Sequence, residues 1–252
     1  MKHVISILFF SVYLVSCHTE NKNADTQGSR TFPVVIDTVK HEKNVFSDNE
    51  EKITWLSTAH YPFLYIGTLT DTIFANYQLH FGYTQPSPSN GNIDLQKYYI
   101  DWLAKKRNYR YGQKANVEIR IDTTKKINNS YPILLTNNTK DTIAIGYGNI
   151  LPLIMEAKDS TGLWKPIEEP FIYSCGNGIG TIILPPNEVV LSLTAITQGN
   201  YPTELRLAYG DNHSQAFKGV INYRQFESRY NKEGNYKEEY IQEEKAKRAT
   251  NK

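Results

Sequence analysis

From residue 113 to residue 225 the apolar side chains recur at a period of two, and this constrains the fold more than any other feature of the chain. Ala115, Val117, Ile119 and Ile121 alternate with Asn116, Glu118, Arg120 and Asp122. Leu205, Leu207 and Tyr209 alternate in the same way with Glu204, Arg206 and Ala208. Successive side chains of a strand point to opposite faces, so each pattern sends one row inward and one row to solvent. Between these segments, apolar runs at 131–136, 142–147, 151–158, 181–184 and 188–196 are divided by turn sequences. The dividers are NNTKD, the DSTG of 159–162, and Pro185-Pro186-Asn187. GDNHS at 210–214 turns the chain into Phe217, Gly219, Ile221 and Tyr223. Short strands at a spacing of roughly 8–12 residues predict an antiparallel β-sandwich.

In this pattern the segment resembles an immunoglobulin-like domain. It lacks the paired cysteines of antibody domains, so the resemblance is one of architecture. Upstream, 32–39 and 61–69 read as strands, and Ala75, Tyr77, Leu79 and Phe81 alternate with polar residues as a third. Asp94 is an N-cap for one amphipathic helix near 94–107, whose stripe is Leu95, Tyr98, Tyr99, Trp102 and Leu103. YPFLYIGTLTDTI (61–73) and YPILLTNNTKDTI (131–143) share Tyr-Pro, Leu and Asp-Thr-Ile. Nothing extends the match, so it reads as two hairpins with similar turn chemistry rather than a duplication. Residues 227–252 are a charged tail in which Glu243/Lys247 and Glu244/Arg248 are helical i, i+4 pairs. The tail reads as an exposed helix or as disordered chain.

The N-terminus carries a separate signal. Lys2 precedes an apolar run from Val4 to Val15, too short to span a bilayer as a permanent helix and of the length of a signal-peptide core. The run ends in Leu14-Val15-Ser16-Cys17. This ending resembles the lipobox of bacterial lipoproteins. The resemblance implies cleavage before Cys17, a diacylglyceryl thioether on its sulfur, and an acylated (palmitate-type) amino group. A buried methylene contributes about 0.8 kcal/mol, so two or three acyl chains hold where one would not. Residues 18–30 have no apolar residue beyond Ala24 and read as a flexible tether. The expected organisation is therefore a signal peptide over 1–16 and the lipidated cysteine with its tether over 17–30. A β region with the helix follows over 31–112, then the sandwich over 113–226 and the charged tail over 227–252.

Composition narrows the chemistry. The 252 residues carry a formal charge of +2, which becomes +1 once Lys2 is removed, and this gives no reason to expect nucleic acid as a partner. With two cysteines and Cys17 committed to lipid, Cys175 stands alone. An intramolecular disulfide and a multi-thiolate metal site are both excluded on that reading.

Local sequences that could carry chemistry are few. Cys175, Gly176, Asn177, Gly178 and Gly180 form a Gly-rich segment able to turn backbone N–H groups toward an anion. A tight turn before the strand at Thr181 explains the same residues more simply. Cys175 would be a nucleophile only if the fold brought up His60, His80 or His213. Asp211-Asn212-His213 are ordinary turn residues. Glu168-Glu169 reads either as an acid/base pair or, flanked by Pro166 and Pro170, as a solvated one. Trp55, Trp102 and Trp164 offer a platform for sugar rings or a peptide, or simple cross-strand packing. No cofactor or metal is implied. The expectation is a lipoprotein of the bacterial cell envelope, on its periplasmic or surface face. It binds an envelope protein or glycan, or serves a structural part, rather than catalysing a reaction. An envelope hydrolase built from dispersed residues and an inhibitor- or immunity-like module are the alternatives.

Overall fold

The computed structural model describes residues 31–37, 53–77, 116–172 and 180–250. The expected signal segment with Cys17, the expected tether and the helix expected near 94–107, together with His80 and Cys175 to Gly178, lie outside the described residues. What is described is mainly β. Strands β1 (Val34–Ile36), β2 (Ser57–Thr58), β3 (Phe63–Thr68) and β4 (Thr72–Phe74) precede β5 (Val117–Ile121), β6 (Ser130–Asn137) and β7 (Ile143–Tyr147). They are followed by β8 (Ile154–Lys158), β9 (Trp164–Pro166), β10 (Glu168–Glu169), β11 (Thr181–Leu184) and β12 (Glu188–Ala195). Then come β13 (Tyr201–Tyr209), β14 (Asn212–His213), β15 (Phe217–Ile221), a 3-10 turn at Tyr223–Phe226 and helix α1 (Glu238–Thr250). Among the described residues no helix is long and apolar enough to cross a membrane.

A four-stranded sheet in the order β3-β12-β6-β5 is antiparallel throughout. A second sheet runs β14-β13-β8-β9, with β15 also paired to β13. The strand register on β5 is the one its alternation demands: Val117 and Ile119 are buried and Glu118 is exposed. β6 and β12 differ, because nearly every residue along them is buried. Their opposite faces serve two cores. Ile133, Leu135 and Val190 join one that also takes Met155, Ala157, Leu205 and Leu207 from the second sheet. Leu134, Val189 and Leu191 join another with Ile73 and the flanking Val35. A sheet covered on both faces is read as a continuous apolar run rather than an alternation, which is what 131–136 and 188–196 show.

Two upstream expectations change. The third strand is Thr72–Phe74, which pairs parallel with β1; of the alternation from Ala75 to Phe81, residues 75–77 carry no strand and the rest lies outside the described residues. Tertiary pairing with β1 outweighs the local pattern there. The two similar Tyr-Pro segments are not hairpins either. β3 and β6 both flank β12, while β4 pairs with β1 and β7 with β11. A bulge at Leu191/Ser192 shifts the β3–β12 register, and the buried Ser192 hydroxyl there donates to the Pro62 carbonyl at 2.7 Å.

Candidate functional site

The polar chemistry of the body concentrates where β9 hands the chain over to β10. Ile167 N–H still bonds the Met155 carbonyl at 3.0 Å, as a β8–β9 ladder requires. The Ile167 carbonyl, however, accepts from Ser57 N–H at 3.4 Å, and β10 continues parallel to β2. The switch would leave the Met155 N–H without a carbonyl, and a buried orphan donor costs about 1–3 kcal/mol. Glu168 fills the vacancy. Its Oε2 accepts the Met155 N–H at 2.8 Å and the Tyr61 hydroxyl at 2.6 Å. Burial pushes the Glu168 carboxyl up to about 6, although both hydrogen bonds pull it down. Burial, with the facing carboxylate, also pushes the Tyr61 phenol well up. The next residue turns the other way, and Glu169 Oε1 accepts from Arg229 Nη2 at 2.9 Å and from the Thr58 hydroxyl at 3.4 Å. The pair is therefore neither free in solvent nor jointly aimed at one point.

On the same approach, Thr54 and Trp55 stand just before β2. The Trp55 indole is buried and its Nε1–H donates to Glu243 Oε2 at 2.9 Å. The Thr54 hydroxyl donates to the same oxygen at 3.1 Å. The other oxygen, Oε1, takes Arg224 Nη1. Arg224 is positioned by the cap of the 3-10 turn. The Asn222 side chain accepts the Arg224 N–H at 3.1 Å, and the Asn222 N–H donates to Gln225 Oε1 at 3.0 Å. The guanidinium also lies 4.7 Å from the Trp55 ring centroid, and Lys237 Nζ lies 5.1 Å from it. Tyr240 meets the indole edge-on at 6.4 Å. Tyr236 stacks between Tyr240 at 5.0 Å and Tyr230 at 4.8 Å. Burial alone would raise the Glu243 carboxyl, but the bonds from Trp55, Thr54 and Arg224 hold it below its ordinary value. Three donors brought together from residues 54, 55 and 224 thus make a carboxylate cradle, and α1 delivers the carboxylate.

The other residues named from sequence are scattered. Trp164 is on β9, half-buried, with the Arg206 guanidinium 4.3 Å and Lys158 Nζ 5.2 Å from its ring centroid. It packs across strands instead of presenting a bare face. His213 Nε2 lies 3.8 Å from Glu156, in a tight hairpin with Gly210 at φ +54. His60 is edge-on to Phe171, and burial lowers its pKa. Of the Gly-rich segment, Gly180 is described, and its carbonyl accepts the Gly148 N–H at 2.8 Å. Among the described residues no three His, Cys, Asp or Glu side chains gather as metal ligands would. Thr54 and Arg224 are not singled out by the sequence, and Glu243 stands out there only as a helical partner of Lys247. The one local signal was the Asn222-x-x-Gln225 cap, which fixes Arg224 but not what Arg224 faces.

Compared with known proteins, the chain matches no family model, no curated protein and no solved structure.

Proposed function

We propose that the protein is a lipid-anchored module of the bacterial cell envelope that acts by binding another envelope protein. The anchor reading rests on the apolar run ending in Leu14-Val15-Ser16-Cys17. In the same reading the body is an immunoglobulin-like sandwich, supported by two largely antiparallel sheets that share one core. The observation that carries binding over catalysis is the Thr54–Trp55–Arg224 cradle. It is a recognition geometry: three donors, one of them cationic, converge on a single carboxylate beside an aromatic ring.

The hydrolase alternative has one observation on its side, the Tyr61–Glu168 pair with its raised carboxyl. Tyr61 is 2% exposed and Glu168 Oε2 already serves the Met155 N–H. The pair thus does a backbone's work at a strand switch, out of a substrate's reach.

The anchor is tested by labelling cells with a fatty acid. The full chain is expected to incorporate label and to partition with membranes, and Cys17→Ser is expected to do neither. Equal labelling of the variant would overturn the anchor. The binding reading is tested by capture from envelope extracts with the full chain and with Arg224→Ala. A partner retained by the first and lost by the second is expected. An identical retained set would refute the cradle's part in binding.

A further inference from the structure

Helix α1 fills the cradle but is hardly built into the body. None of residues 238–249 is buried, and the sequence EEYIQEEKAKRAT has no apolar stripe. An isolated helix of this length is marginal in water. Its attachment includes Glu243, the edge contact of Tyr240 with Trp55, the stacking of Tyr240 on Tyr236 and the turn that brings Lys237 N–H to the Arg229 carbonyl at 2.9 Å. Every donor of the cradle belongs instead to the body. Thr54 and Trp55 precede β2, and Arg224 is held by the Asn222 cap. The adjoining Leu56 N–H bonds the Glu227 carbonyl at 3.0 Å, tying the two sides of the cradle to each other without α1. The three donors thus sit on body segments that are joined to each other without α1.

We infer that Thr54, Trp55 and Arg224 form a receptor for a carboxylate carried on an acidic helix, with the chain's own Glu243 as the resident ligand. The cationic donor sets the ligand class: of the α1 acids, Glu243 is the one that meets Arg224, while Glu244 pairs with Lys247 and Lys237 with Glu227. The partner in trans is therefore a protein segment that presents a glutamate from a helix, as α1 does. It competes with α1 for the same three donors. This inference rests on the binding reading above but does not need the lipid anchor.

The test uses the full chain in detergent and a fluorescent peptide of residues 236–250 as probe. Wild-type chain, its cradle filled, should bind the peptide at least tenfold more weakly than the Glu243→Ala chain. A peptide in which Glu243 is glutamine should lose at least tenfold in binding to the Glu243→Ala chain. Adding Arg224→Ala to that chain should abolish binding. Glu243→Gln, which keeps an acceptor for Trp55 and Thr54 but not the charge, should expose the site partly and give an intermediate affinity. Equal peptide affinity for wild-type and Glu243→Ala chains would overturn the inference. So would equal binding of the glutamate and glutamine peptides. Loss of cooperative melting of the β body in Glu243→Ala would overturn it too, since α1 would then be part of the fold rather than a ligand. Failed fatty-acid labelling would leave these results standing, and failed peptide binding would leave the anchor standing.

Discussion

The β6–β12 pair and helix α1 are held in place by opposite means. β6 and β12 exchange a full antiparallel ladder from Val189↔Thr136 to Ala195↔Ser130, and their side chains are buried on both faces of the sheet. Each fully buried Val, Leu or Ile contributes about 1.5–3 kcal/mol, so this region is stabilised by area. Along residues 238–249 of α1 nothing is buried, and its position is set by a few directional bonds. Area is non-directional and tolerant of small adjustments, whereas the helix depends on one carboxylate lying where three donors converge. The sheet and the attachment of the helix therefore depend on separable interactions, and substitutions should fall into two groups.

The largest effect belongs in the sheet. Ile119→Asp puts an unpaired charge among Val117, Leu135 and Ile133 and should cost about 3–5 kcal/mol in chemical denaturation. Glu118→Ala, one residue along on the exposed face, should stay within about 0.5 kcal/mol. Similar costs for the two would mean that the face assignment is wrong.

Next comes a backbone contact. A Cβ on Gly199 would lie 2.1 Å from the carbonyl carbon of Ile221, which cannot yield as a side chain does. Gly199→Ala should lower stability by about 1–3 kcal/mol, and an unchanged melting temperature would show that the β12–β13 connection is looser than this.

The Glu168 carboxyl sharpens the comparison at the boundary between the two regions. It titrates at about 6 in the fold against an ordinary 4.5, so between those values the folded chain keeps a proton that the unfolded chain has lost. Its contribution is fully present below about pH 4.5 and is lost as pH rises through about 6. The difference amounts to at most about 2 kcal/mol. Glu168→Gln should remove that decline, because an amide oxygen still accepts from Met155 and Tyr61. Asp159 acts in the other direction. Lys165 at 2.6 Å and the Thr161 hydroxyl hold its carboxyl below the usual range, so its contribution is lost as pH falls. A stability profile for Glu168→Gln that still drops between pH 4.5 and 6 would place the decline elsewhere.

The two regions also differ in how far sequence revealed them. The strands at 117–121, 181–184 and 188–195 are legible because their periodicity, or its absence in a doubly covered strand, is a local property. So is the turn after β6, where the buried Asn137 amide donates to the carbonyls of Asp141 and Leu184 and its Oδ1 accepts from Thr139. The Asn128-Asn129 pair, with φ of 47 and 55, closes a two-residue hairpin that residue type alone suggests but that our sequence reading leaves unassigned. The cradle is of another kind. Trp55 and Glu243 are 188 positions apart, and no period or motif ties one to the other. The same holds for Glu168, whose neighbourhood of prolines suggests solvent although a strand switch encloses its carboxylate. The Glu243/Lys247 pairing expected from i, i+4 spacing gives way to Glu243 with Trp55 and Arg224, and Lys247 turns to Glu244 at 3.1 Å.

The smallest effect on the body, and the largest on the helix, is expected of Glu243→Ala. Ion pairs this exposed contribute about 0–1 kcal/mol, so global unfolding should scarcely change. Hydrogen exchange of the full chain, wild type against Glu243→Ala, resolves both parts in a single measurement. In the wild type, the amides of 238–250 should exchange orders of magnitude faster than those of 130–137 and 188–195. In Glu243→Ala their remaining protection should vanish while the two strands stay as they were. If instead 238–250 exchanges as slowly as the central strands, or the strands lose protection together with the helix, then helix and body form one cooperative unit and the separation of helix attachment from sheet stability fails.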